Sequence, residues 1–301
     1  MKIGVVRNLR SHAHIGRPSG EHPDLLWAEP DSLDSLSDHL ARFANENVDL
    51  LIVDGGDGTV RDVISRLDVF AAPPLIAVLP SGKTNVLALD LRCPKGWTVE
   101  EVVASAQSGE PWIKSRSPLE VAFDDGRPTL RGFIIGFGAY EHATSLSKSV
   151  NRMGAFQSLS VALTLIGAVL GTVLGATRGR WRTGIALSLG VDGEAPRPGM
   201  RFLTMAATLK RLPLGIKLFG RPRYGLKYLD VDAPPRRLLR ALPVLLSGKS
   251  ARRLRARGYR RGDAAALRID TQEPFVLDGE VFSGEGGLTL RAGTPLRFMA
   301  G

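Results

Sequence analysis

Residues 49–67, DLLIVDGGDGTVRDVISRL, set an unbroken apolar run against an acidic turn dense in glycine, and a helical pattern follows at once. A short apolar run bounded by turn residues suits a strand buried on both faces of a parallel sheet. Glycine lets the backbone take positive φ and come close to a ligand, and the free N–H groups of the following helix attract phosphate oxygens. Gly55, Gly56, Asp57, Gly58 and Thr59 therefore read as a phosphate cradle. Three glycines in four residues is more than a ligand-free connection needs.

Working outward, the same alternation recurs on both sides. KIGVVR reads as a short buried strand, and PDSLDSLSDHLARFANENV places Leu33, Leu36, Leu40 and Phe43 at helical spacing behind an Asp31 or Ser32 cap. PLIAVLP is a third strand and NVLALDL begins another helix; TVEEVVASAQSG follows as a capped helix, with Thr98 and Glu101 at capping-box spacing and Gly109 as its stop. Such β-α alternation predicts a doubly wound parallel sheet.

The turn after the third strand, PSGKTN, ends like a Walker loop, but the first glycine of that motif would fall on Ala77 inside the strand. It remains a second strand-to-helix turn, and in a parallel sheet such turns open on the same edge. Gly82, Lys83, Thr84 and Asn85 are thus expected to share one nucleotide site with the first turn, Lys83 adding a cation.

Beyond about residue 115 the pattern changes to extended runs with frequent turns: PLEVAF, LRGFIIGFG, TGIALSLGV, MRFLTMAATL, LKYLDVDA, AALRID, PFVL, GLTLRA and PLRFMA, with helices inserted around 141–176 and 235–248. The expected organisation is an α/β nucleotide domain over 1–115, to which a segment near 292–301 can return, and a β-rich acceptor domain over 116–291, with the site in the cleft between them. The uncharged stretch 158–176 approaches the ~20 residues of a membrane span. Its glycines, serines and threonines favour a packed or lipid-facing helix instead.

A formal net charge of +10 points to a polyanionic partner. Arg236, Arg237, Arg240, Lys249, Arg252, Arg253, Arg255, Arg257, Arg260 and Arg261 are interleaved with Leu and Val, which suits an anionic bilayer better than nucleic acid, for which no binding motif is present. The single cysteine, Cys93, excludes an intramolecular disulfide framework and reads as an inert thiol; with no signal-peptide core at MKIGVVRN, a cytoplasmic protein is the default. His12 and His14 read as part of a polar loop rather than a metal site.

GGDGT at Gly55–Thr59, followed about twenty residues later by Pro80–Val86 and near the end by Asp278-Gly279-Glu280, resembles the diacylglycerol, sphingosine and ceramide kinase superfamily. The resemblance implies an N-terminal domain like those of phosphofructokinase and NAD kinase, a C-terminal β-sandwich-like domain, and transfer of the γ-phosphoryl of ATP to a lipid hydroxyl with Mg²⁺. It gives Asp278 the general-base role, gives Glu280 a part in catalysis or, with Asp57, in holding magnesium, and adds Asn8 and Asp62 to the nucleotide contacts. A second triplet, Asp192-Gly193-Glu194, runs into two prolines and is the weaker candidate.

Departures from the family pattern are Leu9 for a proline, Arg61 and Asp62 for Asn and Glu, Val86 for Asp, and Tyr224-Gly225-Leu226 where relatives with a structural magnesium have Asp-Gly-Leu. They favour a sphingoid acceptor such as ceramide over diacylglycerol. The rival expectations are a soluble-metabolite kinase of the NAD-kinase type and a non-catalytic membrane-binding protein.

Overall fold

The computed structural model describes residues 1–11, 22, 24–109, 111–139, 182–221, 223, 225–249 and 252–300. The expected helix around 141–176, with its uncharged stretch, lies outside the described residues, as do His12, His14 and Tyr224. The chain divides into two compact units, one of residues 1–117 and 294–301, the other of residues 118–293.

The first unit carries strands β1 (Ile3–Arg7), β2 (Leu26–Ala28), β3 (Leu50–Gly55), β4 (Leu75–Pro80), β5 (Ile113–Arg116) and, from the far end of the chain, β17 (Leu296–Met299). Their order is β2-β1-β3-β4-β17-β5, parallel except for the β17–β5 pair. The strands read as continuous apolar runs because helices are wound between them: β3 is buried at every position. Around this sheet come α1 (Leu33–Asn45), α2 (Asp57–Ile64), α3 (Val86–Leu91) and α4 (Val99–Gln107). Ser32 caps α1 through its side chain, and Thr98 with Glu101 forms the expected capping box on α4. Leu50, Ile52, Ala77, Leu79, Val102 and Met299 belong to one buried cluster, so the returning β17 supplies part of this core.

The second unit is antiparallel in every described pairing. Its strands are β6 (Leu119–Phe123), β7 (Leu130–Gly132), β8 (Ile134–Gly138), β9 (Ile185–Val191), β10 (Arg197–Ala207), β11 (Leu226–Asp232), β12 (Tyr259–Ala264), β13 (Ala266–Asp270), β14 (Phe275–Leu277), β15 (Glu280–Phe282) and β16 (Leu288–Ala292). The main path runs β15-β14-β8-β10-β9-β13-β16-β6-β7, and β11 joins β10 to β12. The long strand β10 pairs with β9 over its first half and with β8 over its second, with an irregularity between Arg201 and Leu203 in its pairing with β11. Phe137 and Phe275, ring centroids 5.5 Å apart, centre a core drawn from eight of these strands. Helices α5 (Leu238–Ser247) and α6 (Arg252–Arg255) lie between β11 and β12. No helix among the described residues is long and apolar enough to cross a membrane.

Candidate functional site

The turns after β3 and β4 sit at the carboxyl edge of the parallel sheet, where strands hand over to helices. Gly55, Gly56, Gly58 and Gly82 all avoid positive φ; Gly56 is extended at φ −89°. Their bareness answers a steric need. A Cβ on Gly55 would stand 2.5–2.8 Å from the Thr59 side chain, and one on Gly82 would stand 2.5 Å from the Gly56 Cα. The two glycine turns therefore touch backbone to backbone, which no side chain allows.

Asp57 locks the contact. Its carboxylate accepts hydrogen bonds from the Thr84 hydroxyl (2.6 Å) and from the backbone N–H groups of Val86 (3.0 Å) and Leu87 (3.3 Å). It caps α3 from outside, because the residue at the cap position, Asn85, is left-handed (φ 49°) and makes no side-chain cap bond. Asn85 instead ties its own turn together, accepting from Gly82 N–H and donating to the carbonyls of Pro80 and Gly82. Asn8, at the end of β1, donates to Thr59 Oγ1 (2.9 Å).

With α3 capped by Asp57, α2 is the helix start left for an anion. Its cap residue is Gly56, which has no side chain to offer, so the first N–H groups lack a side-chain cap and carry the positive end of the helix dipole. Lys83 is exposed beside this turn. Asp62, by contrast, pairs with its neighbour Arg61 (2.7 Å), whose side chain is buried. Gly55, Gly56, Asp57, Gly58, Thr59, Asn8, Gly82, Thr84 and Asn85 are thus brought into one network.

Beneath the turns lies a group that the sequence reading missed. Asp54 is 2% exposed; it accepts from Arg7 Nε (3.0 Å) and from the Ser81 hydroxyl (2.5 Å), joining β1, β3 and the second turn. The signal was an Asp at the last turn of a buried strand, and it was masked by its membership of an acidic glycine motif. Arg7 also lies over the Trp27 ring, 4.5 Å from its centroid.

In the second unit Asp278 and Gly279 form a two-residue hairpin turn between β14 and β15, both at positive φ (47° and 88°) as a type I′ turn requires. The Asp278 carboxylate accepts from the N–H groups of Phe133 (2.9 Å) and Ile134 (2.9 Å), and its own N–H donates to the Ile134 carbonyl. Asp192 repeats the device. At φ 51° its carboxylate accepts from Ala265 (2.6 Å) and Ala266 (3.0 Å), and its N–H donates to the Ala266 carbonyl. Each aspartate pins the bend before a neighbouring strand. The two differ in access to solvent, Asp192 being exposed and Asp278 half-buried against Gly132. Glu280 is exposed at the start of β15.

The donor set does not fit a preformed magnesium site. Asp57 is committed to three donors, and no group of three metal-ligating side chains occurs among the described residues. Cys93 fits its inert reading, since burial pushes its thiol up to about 11.

Residues 27–111 match the family model of the diacylglycerol kinase catalytic domain. The match covers β2 to α4, with both glycine turns inside it. The resemblance to the diacylglycerol kinase superfamily stands on this match and on the fold. A crystal structure of a diacylglycerol kinase from Bacillus anthracis str. Sterne is 16% identical, covers 100% of this chain and 97% of its own, and superposes with a TM-score of 0.63. A second, provisionally assigned diacylglycerol kinase from that organism gives 17% identity, the same coverage and a TM-score of 0.67. Both carry the pairing of a parallel α/β unit with an antiparallel β-rich one. No curated protein matches the chain.

Proposed function

We propose that the protein is a lipid kinase that transfers the γ-phosphoryl of MgATP to a hydroxyl of a ceramide-like sphingolipid or of diacylglycerol, working at the inner face of the membrane. The observation that carries this reading is the pair of interlocked glycine turns at the edge of the parallel sheet, lying within the stretch that matches the diacylglycerol kinase catalytic domain.

The nucleotide phosphates lie over the start of α2, where the N–H groups beyond Gly56 supply hydrogen bonds, and the exposed Lys83 adds a positive charge. Asp57, Thr84, Asn85 and Asn8 hold the shape of the cradle rather than the ligand itself. Magnesium enters as part of the substrate, bound chiefly by the phosphates.

Phosphoryl transfer asks the protein mainly to position reactants and neutralise charge, with a carboxylate to take the hydroxyl proton. Asp278 takes that proton. Its two backbone donors fix the carboxylate orientation, while Glu280 beside it contacts the acceptor. Residues 118–293 then form the acceptor domain.

The test is incubation with γ-labelled ATP and a panel of purified lipids, with NAD as a lipid-free acceptor. Labelled ceramide or diacylglycerol product supports the reading, and the product lipid names the acceptor. Label in NAD alone, or in none of the acceptors, overturns it.

A further inference from the structure

One tract of this protein is densely basic. Residues 233–262 hold ten Lys and Arg and no Asp or Glu, so the remaining thirty cations are balanced by all thirty acids of the chain. This tract runs from the end of β11 through α5 and α6 into β12.

Arg260 and Arg261 face inward among the described side chains. Arg260 pairs with Asp230 and Asp232 on β11, and the Arg261 guanidinium donates to the carbonyls of Leu218, Leu245 and Lys249, holding the end of α5. Arg236, Arg237, Arg240, Lys249 and Arg255 are exposed.

Helix α5 is poorly served by these neighbours. Its cap residue Arg237 sits at φ 53° and makes no side-chain cap bond, and no acid occupies its first turn. Cations at a helix start oppose the dipole, and α1, α2 and α4 each place an acid there. Nor does folding require the outer apolar residues. Leu238, Ala241 and Leu245 already bury one stripe, whereas Leu239 is 47% exposed and Pro243 is also exposed. A local choice that disfavours the element carrying it points to a use outside the fold.

We infer that the outer face of α5, with Leu239 and Pro243 set among Arg236, Arg237 and Arg240, is a docking surface for an anionic lipid bilayer. Cations adjoin an apolar pair, as an interfacial helix requires, and an anionic surface relieves the charge crowded at the helix start. The inference gains its purpose from the lipid-kinase reading, but the surface stands or falls by itself.

The experiment is co-sedimentation of the full chain with phosphatidylcholine vesicles, with and without phosphatidylglycerol, at low and high salt and without ATP. Binding should require the anionic lipid and weaken with salt. The triple variant Arg236→Gln/Arg237→Gln/Arg240→Gln should lose about fivefold per charge, hence on the order of 100-fold in partition. Arg291→Gln/Arg297→Gln, exposed cations elsewhere, should change little. Leu239→Trp should blue-shift its emission on anionic vesicles.

Equal binding to neutral vesicles, an unshifted tryptophan, or an unaffected triple variant would overturn the inference. So would a triple variant that loses affinity for duplex DNA or RNA while keeping its vesicle partition. Turnover in detergent micelles should survive the triple substitution, so a wild-type protein that docks without turnover condemns the kinase reading and spares the surface.

Discussion

Gly82 and Gly56 show how little room the candidate nucleotide site leaves. A Cβ at Gly82 meets backbone, which cannot swing away as a side chain can. Gly82→Ala should cost about 1–3 kcal/mol and separate the two turns; thermal melting and ATP titration check it, and a variant that melts and binds like wild type removes the argument. Asp57→Ala should cost ~1–2 kcal/mol through the lost cap on α3, with loss of ATP affinity following from the disordered turn. At the second triplet the duplicated geometry provides its own control. Asn tolerates positive φ, so Asp278→Asn and Asp192→Asn should have similar, small effects on melting, whereas only Asp278→Asn should abolish turnover. Loss of activity in Asp192→Asn alone would move the base to the other hairpin. The sequence made these residues visible as motif members but hid their division of labour. That Asp57 caps a helix nearly thirty residues away, and that Asp54 buries its charge under the motif, depends on contacts between turns that spacing does not encode.

Elements were legible where one physical demand dominated. Strands buried on both faces, such as β3 and β4, announce themselves as apolar runs, and the caps of α1 and α4 were readable from Ser32 and Thr98. The short edge strand β2 and the polar β5 (IKSR) give no such signal, because the sheet edge asks less of their side chains. Strand β12 was hidden by composition. Tyr259-Arg260-Arg261 looked like part of a basic surface, yet Arg260 and Arg201 close on the fully buried Asp230, joining β10, β11 and β12. Removing Asp230 leaves Arg201 and Arg260 with Asp232 alone and takes the acceptor from the buried Thr204 hydroxyl, so Asp230→Ala should cost about 1–3 kcal/mol in chemical denaturation. A cost near zero would show that the network contributes nothing.

Across the whole molecule, alkaline pH should be destabilising. Burial pushes Cys93 up to about 11 and Tyr259 up to about 12, and it raises Tyr228 as well. The folded state holds these protons after the unfolded chain has begun to release them, so their stabilisation is complete below the ordinary thiol and phenol pKa values. It is lost as pH climbs from about 9 towards 12. Melting temperature measured over that range should fall, and Tyr259→Phe should flatten the upper part of the slope; a wild-type curve flat above pH 9 would refute the assignment.

Strand β17 also has a temporal meaning. It lies between β4 and β5, so the sheet that began with β1 has a gap in its interior until residues 296–299 have left the ribosome. Until then β4 keeps an open, apolar edge of the kind that invites pairing with other chains. Residues 1–117 are thus made before the strand that completes their sheet, and the intervening β-rich segment emerges while the parallel sheet waits for its closing strand.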